Sequence, residues 1–251
     1  MASFASVLAF GDQLKSLPRL DAFVANAGID TTTYREIEGH ESIILVNVIS
    51  TLLVGILAIP VLESTSKEFG ICTRLVFATS VIHIFAKHQY LTKPPPGQIF
   101  ATLGDSRKAD MADRYHLSKL MELLLVRELA DRLEDKGIPE ENGQATSRHH
   151  LIITSINPGW CKTDLFREHD GGLGGRIGLA LIGRTAEEGS RTLVHAATAS
   201  TPEMHGQYLS ECCTKNEGAW VRSEEGRKVG WDLWEEFVGV AEGVGQGVMR
   251  F

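Results

Sequence analysis

The chain has 251 residues, 43% of them apolar, and a formal net charge of −7. That apolar share supports one sizeable core and excludes a disordered chain. The acidic balance argues against nucleic acid as a partner, because neutralising phosphates needs a basic face. The length suits a single domain over 1–251.

In chain order, MASFASVLAFGDQLK reads as a helix, followed by a short linker and the apolar run AFVANAG (22–28), a strand ending in a glycine turn. The run IILVNVISTLLVGILAIPVL (43–62) is as long and apolar as a membrane span. Asn47, Pro60 and the lack of a flanking basic cluster favour instead a helix over 41–59 buried in an α/β domain, with no membrane span. RLVFATS (74–80), LIITSINPG (151–159) and the weaker GQYLS (206–210) read as further strands. Near-continuous apolar runs are expected of strands covered on both faces, as in parallel sheets. Helices are expected over 111–135, over 186–198 behind a Thr185/Glu188 capping box, and over 231–240. KPPPGQ (93–98), 139–150 and GGLGGRIG (171–178) are loops. Strands alternating with helices define an α/β fold: a Rossmann-like, three-layer parallel sheet.

Cys72, Cys161, Cys212 and Cys213 form no CxxC pair, and no signal peptide is visible at the N-terminus. Reduced thiols and a cytoplasmic location are the expectation. His83, His88, His149 and His150 lack metal-ligand spacing and read as surface histidines, so no metal is expected.

The chemistry concentrates in RYHLSK. Tyr115 and Lys119 are four apart on the 111–135 helix and share a face. A phenol with a pKa near 10 is a poor acid–base catalyst at neutral pH, and a neighbouring ammonium would lower that pKa. Ligands of open α/β sheets bind at the carboxyl ends of strands. There stand Asn26, Ser80, Asn157 and Pro158, while Asn47 interrupts the apolar helix between the first two strands.

ANAG, Asn47, Ser80, YHLSK and NPGWCKTDL occur in the order found in short-chain dehydrogenases/reductases, and the chain resembles that family over nearly its whole length. TAEEGSRTLVHAA and GQYLS resemble its retinol-dehydrogenase-like members. ADMADRYHLSKLMELLLVREL resembles fungal members acting in secondary metabolism. The resemblance implies an NAD- or NADP-dependent oxidoreductase that interconverts alcohol and ketone. Tyr115 would move the proton, and Lys119 would lower the tyrosine pKa and bind the nicotinamide ribose. Ser80 would hold the substrate oxygen, and Asn47 a water of the proton relay. Asn26, Ala27 and Gly28 would line the adenosine side of the cofactor, and Pro158, Gly159 and Thr163 would touch the nicotinamide end.

The resemblance breaks at the front. Family members place a TGxxxGxG turn, which holds the cofactor pyrophosphate, ahead of the ANAG strand. No such motif precedes ANAG here, and in GGLGGRIG Ile177 stands where the third glycine would be. The chain thus reads as starting near the midpoint of the fold, without the first strands. The residue that selects NAD or NADP would lie on a missing strand. AFVANAG becomes an apolar sheet edge that invites a second copy or a partner chain. Two other outcomes of that loss are cofactor-free isomerisation, dehydration or cyclisation by Tyr115 and Lys119, and a non-catalytic pairing subunit. The long insert over 81–113 is expected to cover the crevice and favour a hydrophobic small-molecule substrate.

Overall fold

The computed structural model describes residues 1–134, 151–161 and 183–250. The chain runs α1 (Phe4–Lys15), β1 (Ala22–Ala25), β2 (Glu36–Ile37) and β3 (His40–Glu41). A π-helical segment (Ile44–Ser50) then runs straight into α2 (Thr51–Phe69), followed by β4 (Thr73–Ala78) and a 3-10 turn (Val81–Phe85). Next come α3 (Gln89–Thr92), α4 (Ile99–Leu103), α5 (Met111–Glu134), β5 (Leu151–Asn157), α6 (Ala186–Ala199), β6 (Tyr208–Ser210), β7 (Cys213–Lys215) and α7 (Glu224–Val244).

The apolar runs become the parallel heart of a five-stranded sheet of order β1-β4-β5-β6-β7, in which only β7 is antiparallel. All seven residues of β5 are buried, as a strand covered on both faces requires. Alternation divides the core between two layers. Leu75, Phe77 and Ile153 join the large cluster with α2 and α5, whereas Val76, Ala78 and Ile156 pack with Ala196 of α6. The three-layer α/β expectation is therefore met, and the registers Ala25↔Phe77 and Ala78↔Ile156 bring the carboxyl ends of β1, β4 and β5 to one end of the sheet. Among the described residues β1 forms one edge of the sheet.

The helix expected over 41–59 extends to Phe69, where Gly70 takes a left-handed conformation (φ 62°) and its N–H caps the Ser66 carbonyl. Ile44–Phe69 is long and apolar enough to cross a membrane, yet 83% of its most apolar window is buried inside the protein. Its packing explains the composition. Gly55 lets the helix lie so close to the sheet that a Cβ there would stand 2.4 Å from Phe77 Cζ.

Several elements depart from the sequence reading. The hairpin β2–β3 turns through Glu38 and Gly39, and β6–β7 through Glu211 and Cys212, all four at positive φ. Strands this short leave almost no alternation to read. α7 begins at Glu224, seven residues before the expected start, capped by the Ser223 hydroxyl accepting from Gly226 N–H. The 81–113 insert also differs from expectation. Ile99, Phe100 and Leu103 are buried in the main core, and the Ile99 and Phe100 N–H groups donate to the Glu236 carboxylate of α7. That half of the insert is part of the core and not a cover for the crevice.

Candidate active site

Helix α5 presents Tyr115, Ser118, Lys119 and Glu122 toward the carboxyl ends of β1 and β4. Lys119 is buried, and its Nζ donates to the Ala78 carbonyl at 2.8 Å and to Glu122 Oε2 at 2.8 Å. It stands 5.9 Å from the centroid of the Tyr115 ring. Asn47 lies in the π-helical segment and is fully buried. Its Oδ1 accepts from Ile29 N–H at 2.8 Å, and its Nδ2 donates to the Ile29 carbonyl at 2.9 Å and to Ser118 Oγ at 3.1 Å. Ser118 in turn donates to the Tyr115 carbonyl at 2.8 Å. The wide π turn is held partly by Thr51, whose hydroxyl donates to the Val46 carbonyl. Asn47 thus ties the loop after β1 to the turn of α5 that bears Tyr115.

Gly28 sits inside this cluster. A Cβ there would stand 3.3 Å from Asn47 Oδ1 and 3.9 Å from Lys119 Nζ, so glycine leaves room beside the ammonium. The Tyr115 hydroxyl has no hydrogen-bond partner among the described residues, although its ring is half-buried. Burial pushes the phenol above the ordinary tyrosine range, and the charges of Glu122 and Asp30 push the same way. The net shift therefore runs upward, against the lowering that the resemblance implies, because burial dominates. The ammonium is paired with Glu122 at 2.8 Å. Burial raises the Glu122 carboxyl to about 7, against the pull of Lys119.

Asn157 organises the other wall. Its Oδ1 accepts from Val81 N–H at 3.2 Å and Gly159 N–H at 3.1 Å, and its Nδ2 donates to Ser210 Oγ at 3.1 Å. One side chain therefore staples the turn after Ser80, the Pro158–Gly159 turn and the end of β6. Gly159 adopts φ 84°, and the Arg184 side chain packs against it. Ser80 caps the 3-10 turn, its hydroxyl accepting from Ile82 N–H at 3.4 Å. Val81, Ile84, Phe85 and Trp160 add exposed apolar surface next to Ser80 and Gly159.

Contacts therefore join Lys119, Asn47, Gly28 and the Tyr115 turn. Ser80 lies two residues beyond the carbonyl that Lys119 binds and makes no bond to Tyr115. Asn26 and Ala27 are exposed on the loop after β1, and the Ala27 carbonyl accepts weakly from Thr51. Thr163, His149, His150 and the glycine-rich 171–178 lie outside the described residues. His83 is not a surface histidine. It is buried, with Nδ1 2.6 Å from the Ser80 carbonyl and Nε2 accepting from Gly218 N–H at 2.9 Å, so it braces the Ser80 turn. Sequence reasoning missed Glu122, Ser118 and Asp30. For Glu122 a signal existed: a carboxylate three residues after Lys119, inside the run Leu120, Met121, Leu123, Leu124, Leu125, can hardly be a solvated residue.

No family model matches the chain. Curated fungal relatives do. A short chain dehydrogenase/reductase of Cryptosporiopsis is 37% identical, aligned with 99% of this chain and 73% of its own length. A short chain dehydrogenase of Emericella nidulans is 38% identical (82% and 63%), and one of Penicillium roqueforti 35% identical (96% and 61%). The chain thus spans roughly two thirds of the length of these relatives. Among solved structures, a protein of Mycobacterium paratuberculosis superposes with a TM-score of 0.65 at 19% identity, covering 96% of this chain and 73% of that one. A 3-ketoacyl-(acyl-carrier-protein) reductase of Brucella melitensis, complexed with NADH, gives 0.53 at 16% identity over 84% and 73%. At such identities the structural likeness speaks for the fold alone.

Proposed function

Since the chain belongs to the short-chain dehydrogenase/reductase family, we propose that it is an NAD(P)-dependent oxidoreductase interconverting an alcohol and a ketone on a hydrophobic small molecule of the secondary-metabolite kind. The observation that carries the reading is the Tyr115 hydroxyl, without a hydrogen-bond partner among the described residues, one helical turn from a lysine whose ammonium is already anchored.

The residues fit the nicotinamide half of such a cofactor. An ammonium has three donors; among the described residues Lys119 spends two on Ala78 and Glu122 and keeps one. The room beside Gly28 lies within reach of that nitrogen. Lys119 would hold the ribose there, with Gly28 lining it and Pro158–Gly159 flanking the ring. The sequence contributes no TGxxxGxG turn for the pyrophosphate. The cofactor would supply or accept the hydride at the carbinol carbon. In reduction, Tyr115 donates its proton to the carbonyl oxygen, which balances the hydride and gives the alcohol; oxidation reverses both transfers. Asn47 and Ser118 fix the helical turn from which the proton moves. Val81, Ile84, Phe85 and Trp160 favour an apolar substrate body, since exposed apolar side chains beside a site are suited to burying one.

One second reading is proton transfer by Tyr115 without redox, which the phenol beside Lys119 supports by itself. Titration with NADPH, followed by its fluorescence, separates the two. Binding, together with turnover abolished in a folded Tyr115→Phe variant, supports the oxidoreductase. Turnover without nicotinamide binding selects the second reading, and full activity of Tyr115→Phe refutes both.

A further inference from the structure

Lys119 and Glu122 form an ion pair that is 5% and 0% exposed in an apolar setting of leucines and Met121. Removing two charges from water is costly, and an apolar pair of like volume would often be at least as stable. Stability alone is therefore a poor reason for a carboxylate here. Its second oxygen, Oε1, is buried with no hydrogen-bond partner among the described residues, so the group is not built into a satisfied network. What Glu122 does is hold Lys119. Together with the Ala78 carbonyl it fixes two of the three ammonium donors, which leaves a single direction for the third.

We propose that Glu122 is a positioning residue that anchors the Lys119 ammonium at the end of β4 and offsets the charge this lysine presents to Tyr115. The catalytic consequence rests on the role given to Tyr115 above, but the electrostatic claim does not. Burial does most to hold the phenol protonated; Glu122 and Asp30, the latter from the loop after β1, are the charges that add to it, and Lys119 is the charge acting on Glu122. The π-helical segment and β5, which pack on α5, carry no titratable residue. His83 in the 3-10 turn is committed to Ser80 and Gly218. Lys87 pairs with Asp110 just before α5, and His116 faces Asp113 in its first turns. In α7, Glu235 faces Arg132 and Glu236 caps α4. The Glu122 charge thus adds to burial in favouring the protonated phenol, and its loss would make the phenolate more accessible.

The test follows Tyr115 ionisation by carbon NMR of ring-labelled tyrosine in the full chain, with Tyr115→Phe assigning the signal and neither substrate nor cofactor present. In Glu122→Gln, the phenolate fraction at a fixed pH near 10 should rise about tenfold over wild type. Glu122→Met should move it the same way and serves if the glutamine variant does not fold. Glu122→Asp, which keeps the charge, should retain most of the wild-type resistance to ionisation. An unchanged phenolate fraction in the glutamine or methionine variant would overturn the proposal. So would a rise in Glu122→Asp as large as that in Glu122→Gln, since a packing role would treat the two alike. Because no turnover is read, failure here is distinct from failure of the oxidoreductase assignment.

Discussion

Replacing Asn47 by alanine removes three hydrogen bonds at once: those with the Ile29 N–H, the Ile29 carbonyl and Ser118. Ser118 keeps the Tyr115 carbonyl as its acceptor, so its loss is small. The Ile29 amide and carbonyl are left in a partly buried loop, where an unmet polar group costs about 1–3 kcal/mol. Taking the low end for each, and adding about 1 kcal/mol for the Ser118 bond, the variant should be destabilised by about 3 kcal/mol. For a chain of this size each kcal/mol lowers Tm by about 2–4 °C, so a fall of about 6–12 °C is expected. Circular dichroism on heating measures it. Turnover should fall below what the residual folded fraction explains, because the loop carrying Gly28 is no longer tied to the Tyr115 turn. Asn47→Asp sharpens the test: it keeps an acceptor for Ile29 N–H but brings a charge into a fully buried site, and should be at least as unstable at pH 8. A Tm within about 2 °C of wild type for Asn47→Ala would refute the reasoning.

Gly55→Ala would gain about 1 kcal/mol of helix propensity. The added methyl meets Phe77 Cζ at 2.4 Å, and overpacking of about 1–3 kcal/mol should make the variant less stable on denaturant titration; a stabilised variant would show that the helix moves off the sheet freely. Burial lowers the His83 pKa, so the unfolded chain takes up its proton first, near pH 6.5. Stability from the neutral ring is therefore complete above about pH 6.5 and is lost as pH falls through the depressed folded value. Tm measured from pH 8 to 5 should decline, and His83→Gln should flatten the decline. An unaltered slope would assign it to His40, whose pKa burial also lowers.

The parallel core was legible because both-face burial writes itself as unbroken apolar runs, and AFVANAG, RLVFATS and LIITSINPG all became neighbouring strands. The capping box at Thr185 and Glu188 is local chemistry and formed as read. Tyr115 and Lys119 were legible from helical spacing, but the state of the phenol was not. It depends first on burial and then on Glu122 and Asp30, and only the packed side chains show that Lys119 turns to a carboxylate on its own helix. His83 misled for a related reason: its partners, Ser80 and Gly218, are separated by most of the chain. The insert misled because apolar residues such as Ile99 and Phe100 serve a substrate cover or a core equally well. The deciding contact, Glu236, lies 137 residues from Ile99.

The central claim is that Tyr115 moves the proton while hydride passes between nicotinamide and carbon. Its most direct test is mass spectrometry of the alcohol formed from a bulky apolar ketone with NADPH deuterated at the transferring position of C4. The account requires one deuterium on the carbinol carbon with the wild-type chain, and none formed by a folded Tyr115→Phe variant that still binds NADPH. Alcohol carrying no deuterium, or label transferred at the wild-type rate by Tyr115→Phe, would contradict it.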